Sequence, residues 1–228
     1  MGSPVRDYGV RMVARRTRKD TDPFRVLFVC TANIARSPYA ARRAADLALP
    51  GQLVAAGAGI PGSPGRGLEK EMVRILKEHG SDHLGHVSKK IDDEDLAWAD
   101  LVLVMEFAQQ MRIYDGWPQY DAKVFGLLQF AETMRLTPPG PDDDVTAFAY
   151  ENAPPNSIVW DVEDPYGRGA AASRAASQVI DEALRILVPY LRRPQPGDEP
   201  QPGDGPRTGD GPRTGDAPEP TDGARAAD

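Results

Sequence analysis

Cys30 and Arg36 stand six residues apart in the stretch 25–38, R-V-L-F-V-C-T-A-N-I-A-R-S-P, and Cys30 is the sole cysteine among 228 residues. A thiolate is a strong nucleophile, and a guanidinium presents a planar fork of N–H donors that can hold two oxygens of a phosphoryl group at once. Ser37, next to Arg36, can donate a hydrogen bond to sulfur and so stabilise the thiolate both as attacker and as leaving group. Asn33 is a residue type that tolerates the left-handed backbone a tight loop demands. Together these residue types suit attack on a phosphoryl centre whose charge is held by the loop. A cysteine with an arginine six residues later also arises by chance, and Cys30 could equally be a small core residue at the end of a buried strand. The surrounding elements decide between the two.

Residues 26–29, V-L-F-V, form a short continuous apolar run, as a strand covered on both faces requires. Residues 37–49 have helix composition, with Pro38 in the first turn and Pro50-Gly51 at the end. A second strand is expected over 52–56 and a helix over 68–78, closing at His79-Gly80. A short helix over 92–98 takes Asp92 as its N-cap. Strands follow at 101–105 and from 123 to 125, with helices over 107–114 and onward to Met134. The last helix is expected over 170–191, its apolar face formed by Val179, Ile180, Leu184, Leu187, Val188 and Leu191. Strands alternating with helices imply an α/β domain, a parallel sheet wrapped on both faces. Ligands of such sheets bind beyond the carboxyl ends of the strands, where Cys30 falls. There, loop N–H groups converge on an anion and the helix dipole favours negative charge, so the position favours the reactive reading of Cys30.

The segment V-L-F-V-C-T-A-N-I-A-R-S-P closely resembles the signature of low-molecular-weight protein tyrosine phosphatases. That resemblance covers about residues 24–193 and implies a flavodoxin-like three-layer sandwich, a four-stranded parallel sheet flanked by helices. It implies hydrolysis of phosphotyrosine through a cysteinyl-phosphate, with Cys30 as nucleophile and Arg36 binding phosphate. The loop residues Thr31, Ala32, Asn33, Ile34, Ala35 and Ser37 would cradle the substrate. The family also places an Asp-Pro-Tyr motif late in the chain, whose aspartate is the general acid and base. D-P-Y-G at 164–167 matches it, making Asp164 the acid and Tyr166 part of the aromatic wall, although the same four residues also make a good turn. A-A-G at 55–57, A-D-L-V-L-V-M-E at 99–106 and K-V-F-G-L-L at 123–128 match the family more loosely.

The sequence departs from the family in four places. Ala35 stands where many members carry a second cysteine that protects the nucleophile through a disulfide. Ala55-Ala56-Gly57 stands where a serine hydroxyl usually braces the loop asparagine. The stretch G-A-G-I-P-G-S-P-G-R-G lacks the aromatic that often forms the opposite pocket wall. Residues 135–160 form a long Pro- and Asp-rich connection, expected as an insertion or lid that offers Phe148, Tyr150 or Trp160 to the pocket.

A formal net charge of −7 divides unevenly, with +3 on residues 1–22 and −5 on 194–228. No concentration of positive charge suggests a nucleic-acid partner. Residues 1–23 read as a basic flexible leader. Residues 194–228 repeat P-Q-P-G-D and G-D-G-P-R-T and read as a disordered Pro/Gly/Asp-rich tail, with almost nothing apolar to bury. One cysteine allows no internal disulfide, and His79, His83 and His86 read as polar loop residues rather than metal ligands, so neither metal nor cofactor is expected. No apolar run is long enough to span a bilayer, and the run after Arg15-Arg16 lacks a cleavage site, which points to a cytoplasmic protein. The expected partner is a tyrosine-phosphorylated protein or a small aryl phosphate. The competing readings are a catalytically weak phosphate-binding module, or an arsenate reductase-like enzyme using an external thiol. The lack of further cysteines excludes an internal disulfide relay.

Overall fold

A computed structural model describes residues 22–192. The expected leader and tail fall almost wholly outside those residues, since 1–21 and 193–228 are not described. Four strands form one sheet: β1 (Phe24–Cys30), β2 (Leu53–Gly59), β3 (Leu101–Val104) and β4 (Val124–Gly126). Their order is β2-β1-β3-β4 and every pairing is parallel. This is the doubly wound order expected, with β1 and β3 side by side where the winding reverses. Cys30 lies opposite Gly59 of β2, and Val29 lies opposite Val104 of β3.

Burial on both faces explains the unbroken apolar run of β1. Val26 and Phe28 join Leu101, Leu103 and Phe125 on one face, under α1 (Arg36–Leu47), α2 (Lys70–Glu78), α5 (Leu127–Leu136) and α7 (Gly169–Leu187). Leu27 and Val29 join Val102, Val104 and Val124 on the other, under α3 (Asp93–Trp98) and α4 (Phe107–Gly116). The two sets interleave along each strand because successive side chains point to opposite faces. Asp92 caps α3 as expected, its carboxylate accepting from the Asp95 N–H at 2.9 Å. The final helix stops at Leu187, earlier than its apolar pattern suggested; Pro189 follows, and 188–190 tighten into a 3₁₀ turn.

Residues 135–160 are not a plain loop. They contain α6 (Val145–Asn152), capped by the Asp144 carboxylate on the Thr146 and Ala147 N–H groups. Val145 and Ala149, four residues apart and both buried, pin the helix to the main core, and Phe148 packs there too. Thr146 Oγ1 reaches the carbonyl of Asp100, just before β3, at the end of the sheet away from Cys30. Tyr150 is exposed. The segment then passes a 3₁₀ turn at Ile158–Trp160 and returns to the carboxyl ends of the strands, where the Val162 N–H meets Met105 O at 2.8 Å.

Candidate active site

The loop after β1 turns at Asn33, whose φ of 59° is left-handed. That turn sends the Asn33 N–H back to Cys30 Sγ at 3.3 Å. Ser37 Oγ lies 3.0 Å from the same sulfur, accepts from Asn33 Nδ2 at 3.0 Å, and lies 3.2 Å from Ala58 O. The Ser37 hydroxyl has one proton and two candidate acceptors. When the sulfur is a thiolate only Ser37 can be the donor of that pair, so ionised Cys30 has the Asn33 N–H fixed upon it and draws the Ser37 proton away from Ala58 O as a second donor.

Asn33 is held from two further sides. Its Oδ1 accepts from the Lys89 N–H at 3.0 Å, and its backbone carbonyl accepts from His86 Nε2 at 2.7 Å. The Lys89 backbone therefore braces Asn33 where Ala55-Ala56-Gly57 offers no hydroxyl. The small residues of β2 have a separate purpose. A Cβ on Gly57 would sit 2.8 Å from Asn33 Nδ2, and one on Gly59 would sit 2.9 Å from the Ala32 carbonyl carbon. Either side chain would push the loop off the sheet. His86, expected as a polar loop residue, is thus a support of the loop. Burial holds its pKa below the ordinary value, the Asn33 carbonyl opposes this, and Arg42 adds to it.

A depressed histidine pKa favours the neutral ring in the fold. Stability from this source is complete above the unfolded value of about 6.5 and is lost as pH falls through the lower folded value. Wild type should therefore be more stable than His86→Gln at about pH 7.5, and that advantage should narrow towards about pH 5. Paired thermal melts across this range check it; a constant gap would contradict the neutral-ring account.

Arg36 is 1% exposed, an unusual place for a guanidinium. Its Nη1 donates to the Glu106 carboxylate and to Val162 O, the latter at 2.7 Å. Its Nη2 lies 2.9 Å from Asp164 Oδ2 and 3.4 Å from Thr31 Oγ1. Its Nε is buried with no hydrogen-bond partner among the described residues. Leaving a buried N–H unpaired costs about 1–3 kcal/mol, and an anion at the loop would recover it. Gln109 ties the surroundings together: Oε1 accepts from the Met105 and Glu106 N–H groups at 3.0 Å each, and Nε2 donates to Thr31 Oγ1 at 3.2 Å. Sequence patterning assigns no role to Glu106 or Gln109. The available signal was position, because Glu106 closes the apolar run of β3 at the point where the sheet's winding reverses.

The structure brings Asp164, distant in sequence, onto Arg36. Asp164 Oδ1 also accepts from the Tyr166 N–H at 3.2 Å, as in an Asx turn. Its neighbours face elsewhere. Asp161 takes the Phe107 N–H at 2.7 Å at the start of α4, and Glu163 pairs with Arg168 at 2.9 Å. Burial raises the Asp161 pKa, the Phe107 N–H opposes that, and the charge of Glu106 reinforces it. Tyr166 stands at the rim, 48% exposed. Across from it the aromatic-poor loop supplies Arg66, whose Nη2 donates to Tyr166 Oη at 3.0 Å. The loop residues Ala32, Ile34 and Ala35 complete the turn; Ile34 and Ala35 are buried. Among the described residues no group of three or more His, Cys, Asp and Glu side chains could hold a metal ion. The arrangement offers a nucleophile, a buried cation with a spare donor, and a carboxyl group that can exchange a proton.

A family model for the low molecular weight phosphotyrosine protein phosphatase matches residues 25–143. The protein-arginine-phosphatase of Geobacillus stearothermophilus is 30% identical over 173 residues, covering 76% of this chain and 99% of the relative. The low molecular weight protein-tyrosine-phosphatase Ptp of Acinetobacter johnsonii is 37% identical over 102 residues, 45% of this chain and 70% of the relative. The solved low molecular weight protein tyrosine phosphatase from T. tengcongensis superposes with a TM-score of 0.58 at 30% identity, over 73% of this chain and 99% of that one. No described helix is long and apolar enough to cross a membrane.

Proposed function

The chain belongs to the low molecular weight phosphotyrosine protein phosphatase family, and from that premise we propose that it is a cytoplasmic, metal-independent enzyme that hydrolyses phosphotyrosine through Cys30. The buried Arg36, with one N–H unpartnered and Asp164 2.9 Å from another, carries this reading. A phosphoryl group seated in the loop takes the free N–H and competes with Asp164 for Nη2. Asp164 is then released towards the leaving atom. Cys30 thiolate attacks phosphorus in line; the P–O bond breaks, and protonated Asp164 gives its proton to the departing oxygen. Water then attacks the cysteinyl-phosphate, Asp164 takes its proton, and the S–P bond breaks to restore the thiolate. Arg36 and the amides of residues 31–36 hold charge on the equatorial oxygens in both steps. Ser37 and the Asn33 N–H receive the sulfur each time it becomes an anion.

A second reading follows from the Geobacillus relative, named for phosphoarginine and matched along almost its whole length. The nucleophile and cradle would be unchanged, and the bond broken would be P–N. Phosphate release from matched phosphotyrosine and phosphoarginine peptides, with p-nitrophenyl phosphate as the general substrate and no added metal, tests both. Faster release from phosphotyrosine supports the first reading, and a reversed preference supports the second. Inactivity on all three would overturn the enzyme reading in favour of a phosphate-binding module.

Ala35 has a consequence for oxidation. Cys30 is the sole cysteine, so its sulfenic acid has no internal thiol to form a disulfide with. Activity recovered by added thiol after peroxide should therefore shrink as exposure lengthens, with sulfinic acid accumulating on Cys30 by mass spectrometry. Complete recovery at every exposure time would contradict this.

A further inference from the structure

The loop between β2 and α2 carries Arg66 on a fixed backbone. The Arg66 N–H donates to Ser88 Oγ at 2.8 Å, the Ser88 N–H donates to Arg66 O at 2.8 Å, and Gly65 N–H donates to Ser88 O at 2.9 Å. Ser88 itself is buried, so the rung is anchored in the body of the protein. The Arg66 side chain then leans over Tyr166, with Cζ 5.5 Å from the ring centroid and Nη2 on the phenol oxygen. A guanidinium in this position is held by cation–π attraction and one hydrogen bond, and most of its five N–H donors remain unused.

The charges around it sharpen the point. Several other exposed arginines are matched with carboxylates: Arg74 with Glu71 and Glu78, Arg135 with Glu132, Arg168 with Glu163; Arg112 donates instead to the Ile60 carbonyl. Among the described residues no carboxylate pairs with Arg66, whose recorded partner is the neutral Tyr166. Tyr166 is two residues beyond Asp164, which sits on Arg36, so this unneutralised cation stands at the rim of the proposed phosphate seat. The chain as a whole is acidic, so a general attraction for acidic proteins cannot come from its net charge.

We propose that Arg66 is a specificity-determining residue that reads a carboxylate of the substrate protein next to the phosphorylated residue, so that acidic flanks are preferred. This rests on the phosphatase reading above. Tyr166 pre-orients the guanidinium, which lowers the side-chain entropy lost when the substrate carboxylate binds and makes a forked contact accessible.

The test compares two phosphotyrosyl peptides that differ only in having Glu or Gln at the flanking positions, with kcat/KM measured on the full chain. Wild type should favour the Glu peptide by about three- to tenfold at low salt, and the preference should shrink as salt rises. Arg66→Gln should bring the ratio close to one, and Arg66→Glu should invert it. A lost packing contact with Tyr166 would slow both peptides alike and leave the ratio unchanged, so the ratio isolates charge reading. A wild-type ratio of one, or a ratio retained by Arg66→Gln, overturns the proposal. Wild type that cleaves p-nitrophenyl phosphate but shows either result defeats this inference alone; wild type that cleaves neither peptide nor p-nitrophenyl phosphate defeats the phosphatase reading and this proposal with it.

Discussion

Cys30→Ser is expected to lower kcat for p-nitrophenyl phosphate by roughly 10⁴-fold or more while leaving the fold intact, about 5 kcal/mol of lost transition-state stabilisation. Serine keeps the position but stays a neutral alcohol near neutral pH, and among the described residues no histidine hydrogen-bonds to Cys30 to take its proton. The two donors on Sγ, Ser37 Oγ and the Asn33 N–H, serve a sulfur anion; an alcohol makes little use of them. Cys30 is 3% exposed, and its replacement is close in size and able to hydrogen-bond to Ser37. The melting temperature should therefore move by only a few degrees, consistent with a loss of about 1 kcal/mol in a domain of this size. Wild-type-like turnover by the variant would remove the nucleophile from the mechanism.

The second large effect is expected at the acid. Asp164→Ala should reduce kcat by about 10²–10⁴-fold, the range for a lost general acid. Two features separate this from simple damage. Arg36 Nη2 loses the carboxylate that sits 2.9 Å away, so inorganic phosphate should inhibit the variant at least as well as it inhibits wild type. The loss should also grow with the basicity of the leaving group, larger for phenyl phosphate than for p-nitrophenyl phosphate, because a good leaving group needs less protonation. A negligible effect would move the acid to Asp161 or Glu163. Both have other partners, Asp161 at the start of α4 and Glu163 on Arg168, which is why Asp164 is preferred.

The signals that were local and repetitive were legible in the sequence. V-L-F-V demanded a strand buried on both faces, and β1 is such a strand. The alternation of strand and helix gave the parallel sheet, and Asn33 forecast the left-handed turn. What escaped had no sequence period to announce it. Glu106 and Gln109 matter because β3 lies beside β1, a fact of sheet order that spacing along the chain does not express. Lys89 braces Asn33 with its backbone N–H, so its side chain gave no clue, and His86 acts through a carbonyl. α6 was hidden among prolines and aspartates because it buries little more than Val145 and Ala149 of its eight residues. The absent serine of β2 looked like a lost brace; the structure shows Gly57 making room for the amide that the backbone then holds.

Trapping the phosphorylated intermediate tests the nucleophilic role of Cys30 most directly. Enzyme turning over an aryl phosphate is denatured within a turnover, digested, and mapped by mass spectrometry, with Asp164→Ala alongside because its hydrolysis of the intermediate should also be slowed. One phosphoryl group per chain is expected, carried on Cys30. A phosphoryl group on another residue, or none at all while the phenol is released in a stoichiometric burst, would contradict it.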